Sequence, residues 1–166
     1  MERTYGVQGI KALECINPRL QIYRVRWDFQ PYTGENMEEG VSFIEAQINH
    51  KPTLDEIKNI VLEGFNRDID YKILTGFVWR GMSVWLSMEN QFNYKSICDV
   101  TIQTNGANLP VTLKFGTMEN PQYYEFQTKE DILDFYSKSM TFINDTIQEG
   151  WEAKDSIDWT QYDICK

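Results

Sequence analysis

The residues able to carry chemistry are few and do not form a known set. The chain holds one histidine, His50, beside Lys51 and Pro52. A lone histidine cannot supply a His-Glu-x-x-His or Cys/His zinc arrangement. A Ser-His-Asp or Cys-His device is recognised by geometry, but no nucleophile motif accompanies His50. The three cysteines, Cys15, Cys98 and Cys165, are far apart and form no Cys-x-x-Cys. Their odd number is a poor disulfide framework, so they read as reduced thiols. Cys98 falls in a helical pattern as a small core residue. Gly76, Gly81 and Gly116 read as turn glycines, because no phosphate-cradling Gly-x-Gly-x-x-Gly or Gly-x-x-x-x-Gly-Lys occurs. Glu45, Asp99 and Glu125 are candidates for a paired-carboxylate hydrolase site. With 25 acidic residues, however, some pairing is inevitable. The reading is no enzyme, no metal site and no cofactor.

Composition narrows the remaining classes. A net charge of −9 disfavours a surface that tracks nucleic-acid phosphates or an anionic membrane. No apolar run reaches membrane-spanning length. The opening Met1–Tyr5 segment lacks an apolar signal stretch, so release by lysis is the expected exit route. Aromatic residues make up 14% of the chain, enough for both a core and an interface. Binding to other proteins is therefore the expected mode of action, with no small-molecule substrate.

These features need elements to position them. Residues 1–18, ending at Asn17-Pro18, read as an N-terminal arm or edge segment. Tyr23, Val25, Trp27 and Phe29 alternate with Arg24, Arg26 and Asp28, which predicts a strand with one buried face. Pro31–Gly40 reads as a loop and Val41–Ile48 as the returning strand, with Val41, Phe43 and Glu45 on one side. Thr53 and Glu56 have capping-box spacing. Leu54, Ile57, Val61 and Phe65 then predict a helix closed by Gly64 and Asn66. Ile73–Leu86 predicts a hairpin turning at Arg80-Gly81. Ser87 predicts an N-cap, and Tyr94, Ile97, Cys98 and Ile102 form a helical face that stops at 104–110. Val111–Phe115 and Tyr123–Phe126 predict a third hairpin. Thr128 caps a last helix whose stripe is Ile132, Tyr136, Met140, Ile143, Ile147 and Trp151. Gly150 is expected to weaken its final turn.

The fold class is α+β: a mostly antiparallel sheet of three hairpins, with three helices on one face and a long C-terminal helix. The organisation is an arm (1–18), a single domain (19–154) and an acidic, aromatic tail (155–166). Trp151, Trp159 and Tyr162 are the candidate partner-binding anchors, since aromatics dominate interface hot spots.

One stretch carries a resemblance. It runs Phe77-Val78-Trp79-Arg80-Gly81-Met82-Ser83-Val84-Trp85-Leu86-Ser87-Met88-Glu89-Asn90-Gln91-Phe92-Asn93-Tyr94. Leu113-Lys114-Phe115-Gly116, Tyr123–Thr128 and a long helix follow. Over roughly residues 50–155 this is similar to a small bacteriophage domain of unknown function. That family has an aromatic-x-x-Gly hairpin, then Ser-x-x-Gln-x-Asn and a helix. Here Ser87, Gln91 and Asn93 are spaced one residue more loosely. The domain recurs in tail-fibre and fibre-associated proteins, and this variant looks most like those of crAss-like phages of Bacteroidetes. The family supplies no catalytic residues. Gln91 and Asn93 have two readings, local backbone hydrogen bonds or a partner contact. The resemblance implies a virion structural protein, a head- or tail-fibre, decoration or connector component, made in the bacterial host cytoplasm. Such a protein acts by self-association, as a dimer or trimer, and by binding other virion proteins. The alternatives are a fibre-assembly chaperone absent from the particle, or an acidic effector that binds a host protein.

Overall fold

A computed structural model of the chain describes residues 2–33 and 39–163. Cys165 and part of the expected 31–40 loop lie outside them. Among the described residues the α+β class holds, with antiparallel strands and a long C-terminal helix. The strands are β1 (Thr4–Val7), β2 (Leu13–Asn17), β3 (Ile22–Thr33), β4 (Glu39–Ile48), β5 (Val78–Trp79), β6 (Met82–Ser83), β7 (Val111–Gly116) and β8 (Pro121–Phe126). The helices are α1 (Leu54–Thr75), α2 (Met88–Gln103) and α3 (Lys129–Asp155), and a 3₁₀ turn spans Trp159–Tyr162.

The chain divides into two compact units: residues 1–68 with 153–166, and residues 69–152. The three expected hairpins form but do not share a sheet. One lies in a four-stranded sheet of order β1-β4-β3-β2, and the others are separate two-stranded ribbons.

In the first unit, the segment read as an arm supplies both edge strands. β2 pairs with β3 (Leu13↔Val25), and β1 pairs with β4 (Thr4↔Phe43). The Asn17 side chain accepts from the Arg19 and Leu20 amides, which folds the link from β2 to β3. The expected loop is also shorter, because Pro31 pairs with Val41 inside the ladder. Val25 and Trp27 pack with Ile44, Ile48, Ile57 and Val61. Period two fails on the other face, because Arg26 is buried too. Its guanidinium meets Glu14 at 2.9 Å and Glu45 at 3.2 Å, and donates to the Lys11 carbonyl at 2.9 Å. Paired carboxylates and a carbonyl make that burial tolerable. A bulge after Trp27, with Asp28 at φ +53°, ends the regular alternation.

Helix α1 runs past Gly64, which is no cap. A Cβ there would stand 2.6 Å from Trp27 Cζ2, so the glycine admits the indole against the helix. Trp27 Nε1 is buried in that contact, with no hydrogen-bond partner among the described residues.

In the second unit, Phe77, Trp79, Val84, Leu86, Tyr94, Cys98, Phe115, Phe126, Ile132 and Phe135 form the core. Cys98 is the expected small core residue, and burial raises its thiol pKa. On α3 the buried line is Ile132, Phe135, Ser139, Ile143, Thr146 and Gly150. The expected stripe faces the core: Ile132 and Ile143 are buried within it, and Tyr136, Met140 and Ile147 pack against it, while Trp151 is exposed. Gly150 does not end the helix. A Cβ on it would lie 2.2 Å from Ile69 Cδ1, so it too marks close packing.

Candidate binding surface

The candidate surface lies in the second unit and starts at the β5–β6 hairpin. Its two-residue turn places Arg80 at φ +48° and Gly81 at φ +78°, the signature of a type I′ turn. The hairpin is clasped from both sides. Trp79 is buried and donates its indole N–H to Asp134 at 3.1 Å. The Arg80 guanidinium lies 4.6 Å from the Trp79 ring centroid and 5.3 Å from that of Tyr124. It also pairs with Asp131 at 2.6 Å. Burial, then the hydrogen bond to Asp131, raises the Tyr124 phenol pKa. The Lys138 ammonium, then the Trp79 indole, holds Asp134 below its ordinary value.

Beyond the hairpin the chain stays extended. Val84 N–H donates to the Phe77 carbonyl at 2.9 Å, and Leu86 N–H to Leu74 at 3.0 Å. Val84 and Leu86 are buried, so Trp85 between them points outward and is 50% exposed. Ser87 then caps α2 by accepting from Asn90 N–H at 3.2 Å, as its sequence position predicts. Tyr94, Cys98 and Thr101 turn one face of α2 into the core. Met88 and Phe92, four residues apart on another face, are 87% and 70% exposed.

A groove opens beside Trp85. Its larger part, about 640 Å3, is lined by Thr75, Ser83, Val84, Trp85, Gly116, Thr117 and Met118. A smaller part, about 160 Å3, shares Ser83, Gly116 and Thr117 and adds Gly81, Asn120 and Gln122. The β7–β8 turn shapes this wall. Gly116 has φ +79°, and a Cβ there would fall 2.3 Å from the Asn120 carbonyl. Thr117 and Asn120 close the turn by mutual hydrogen bonds of 3.2 and 3.0 Å.

The residues singled out by sequence are placed differently from one another. Gln91 donates to the Leu86 carbonyl at 2.7 Å, so its side chain ties α2 to the strand before it. Asn93 is exposed. Trp151 is 61% exposed on α3, as an anchor requires. Trp159 is half-buried, with Lys58 Nζ 5.8 Å from its ring centroid. Tyr162 corrects the expectation. It is 1% exposed and donates its hydroxyl to the Arg26 carbonyl at 2.7 Å. Its ring completes the first unit's core, so it cannot serve as an exposed anchor. Trp85, Met88, Phe92 and Met118 were not singled out. The signal for Trp85 was present, as Val84-Trp85-Leu86 alternates and Met88 and Phe92 lie off the Tyr94–Cys98 face.

The remaining chemical candidates are already committed. His50 Nε2 lies 2.9 Å from the Glu56 carboxylate, and both are solvent-accessible. The Glu56 side chain is engaged there, and of the capping box only the bond from the Glu56 N–H to the Thr53 hydroxyl oxygen forms. Glu45 pairs with Arg24 and Arg26, Asp99 with Lys95, and Glu125 accepts from Gln127. Among the described residues no cluster of His, Cys, Asp and Glu could hold a metal ion, and no helix is long and apolar enough to cross a membrane. No protein-family model, curated protein or solved structure matches the chain.

Proposed function

We propose that this chain is a non-enzymatic bacteriophage virion protein, a head- or tail-fibre, decoration or connector component. It acts by self-association, as a dimer or trimer, and by docking on other virion proteins. The supporting observation is the exposed apolar pair Met88 and Phe92, four residues apart on the first turns of α2. Large exposed apolar side chains held side by side on a rigid element are characteristic of protein contact sites. The same segment carries the sequence resemblance to fibre-associated phage domains, which supplies the virion setting.

Quantitative mass spectrometry of purified phage particles tests this reading. The chain should be present in fixed ratio to the major capsid protein. Phage encoding Met88→Asp with Phe92→Asp should lose it from the particle while the variant still folds. Absence of the unaltered chain from mature particles would overturn the virion assignment and favour an assembly chaperone or a host-directed effector.

A further inference from the structure

We propose that the groove beside Trp85 is a binding site for a neutral saccharide. Three observations converge on that ligand class. First, among the described residues none that lines either part of the groove is ionisable. A quarter of the chain is charged, so this uncharged lining selects against an ionic ligand. Second, the side chains of Ser83, Asn120 and Gln122 make no hydrogen bond to the described residues. A hydroxyl and two carboxamides each donate and accept, which matches sugar hydroxyls that also do both. Third, Trp85 presents a half-exposed ring and Met118 an almost fully exposed thioether. Those surfaces suit the C–H face of a pyranose, which is apolar on one side while its edge is polar.

The scaffold holds these groups in place before a ligand arrives. Ser83 and Trp85 sit on backbone fixed by the Val84 and Leu86 hydrogen bonds. Asn120 sits in a turn fixed by Thr117 and Gly116. Gln122 is in the β7–β8 ladder opposite Phe115. Preorganisation of this kind lowers the ordering cost of binding. An uncharged peptide could meet the same carboxamides through its backbone, so it is the competing ligand that the titration separates from a saccharide. The inference goes beyond the protein contacts above, since Met88 and Phe92 are not among the groove's lining residues.

The test is 1H–15N NMR titration of the full chain with maltoheptaose, cellohexaose, mannohexaose and hexa-N-acetylchitohexaose. An oligogalacturonate and an uncharged Gly-Ser-Leu-Phe peptide serve as contrasts. At least one neutral oligosaccharide should shift the Trp85 indole N–H and the Asn120 and Gln122 side-chain amides, saturating in the range of about 1 mM. Trp85→Ala should weaken that binding about tenfold or more, and Gln122→Ala severalfold, from loss of the ring contact and of one hydrogen bond. Silence from all four neutral saccharides at about 10 mM, well beyond a millimolar Kd, would overturn the proposal. So would preference for the peptide or the acidic sugar, or saccharide binding unchanged in both folded variants.

Discussion

Replacing Gly64 with alanine sets two physical effects against each other. Alanine in a helix interior is favoured over glycine by about 1 kcal/mol. On propensity alone Gly64→Ala stabilises α1. The structure predicts the opposite. The new Cβ would stand 2.6, 2.7 and 2.8 Å from Cζ2, Cε2 and Nε1 of Trp27. The indole is rigid and 2% exposed, so it has nowhere to swing. Overpacking of a close-packed core costs roughly 1–3 kcal/mol, and a fused ring places this case near the top of that range. The net expectation is a loss of about 2 kcal/mol. A second substitution isolates the cause. Trp27→Leu removes the three ring atoms that meet the new methyl, at its own cost in lost packing. In that background Gly64→Ala should become a gain of up to about 1 kcal/mol. The coupling between the two changes is then about 3 kcal/mol. Urea denaturation followed by far-UV circular dichroism on all four proteins completes the cycle. A raised midpoint for Gly64→Ala alone, or a coupling near zero, would refute the packing argument. Gly150→Ala is a useful contrast, since its Cβ meets the half-buried Ile69 side chain, which has rotamers to yield.

Three further outcomes follow from the contacts described. Ser87→Ala should cost about 1 kcal/mol through loss of the α2 cap, read as a lower urea midpoint and faster amide exchange at Asn90. Tyr162→Phe should cost about 1 kcal/mol, and Tyr162→Ala about 4 kcal/mol, because the first removes one hydrogen bond and the second empties a core position. Burial pushes the Tyr162 phenol well above its ordinary value of 10.0. Its contribution is therefore complete below pH 10.0 and declines as pH rises beyond it, so unaltered protein should lose more stability there than Tyr162→Phe. For Asp134 the sign reverses. Its carboxyl is held below 3.8 by Lys138 and the Trp79 indole, so its contribution is present above pH 3.8 and lost as pH falls through its depressed value. Asp134→Asn should melt lower than the unaltered chain at neutral pH, with the difference shrinking in acid.

The sequence discloses features governed by nearby residues. The Arg80-Gly81 turn, the Ser87 cap and the stop at 104–110 are each decided within a few positions, and each is found in the structure. Features settled by distant partners were not legible. Gly64 looks like a helix terminator until Trp27, far away in the chain, is seen to need its missing side chain. Ser139 and Thr146 fall outside the apolar stripe, yet both are buried on α3 beside it. The polar face of β3 was expected in solvent, but Glu14 and Lys11, from the segment read as an arm, enclose Arg26. Tyr162 looked like an exposed aromatic because its acceptor is the backbone of residue 26. The outward Trp85 was readable from alternation alone. The groove beside it was not, since Gly116 and Asn120 reach it only through the β7–β8 turn.

The Tyr162 contact also bears on how the chain is made. The first unit's core draws on Val25 and Trp27 and equally on Ile157, Trp159 and Tyr162. The second unit's core draws only on residues up to Ile147. During synthesis domains ordinarily fold in order, N-terminal first. Here the first unit cannot complete its core from N-terminal residues alone. Residues 69–152 lie between its sheet and the aromatic residue that fills that core. Until Tyr162 has been synthesised, the N-terminal sheet lacks the side chain at its centre.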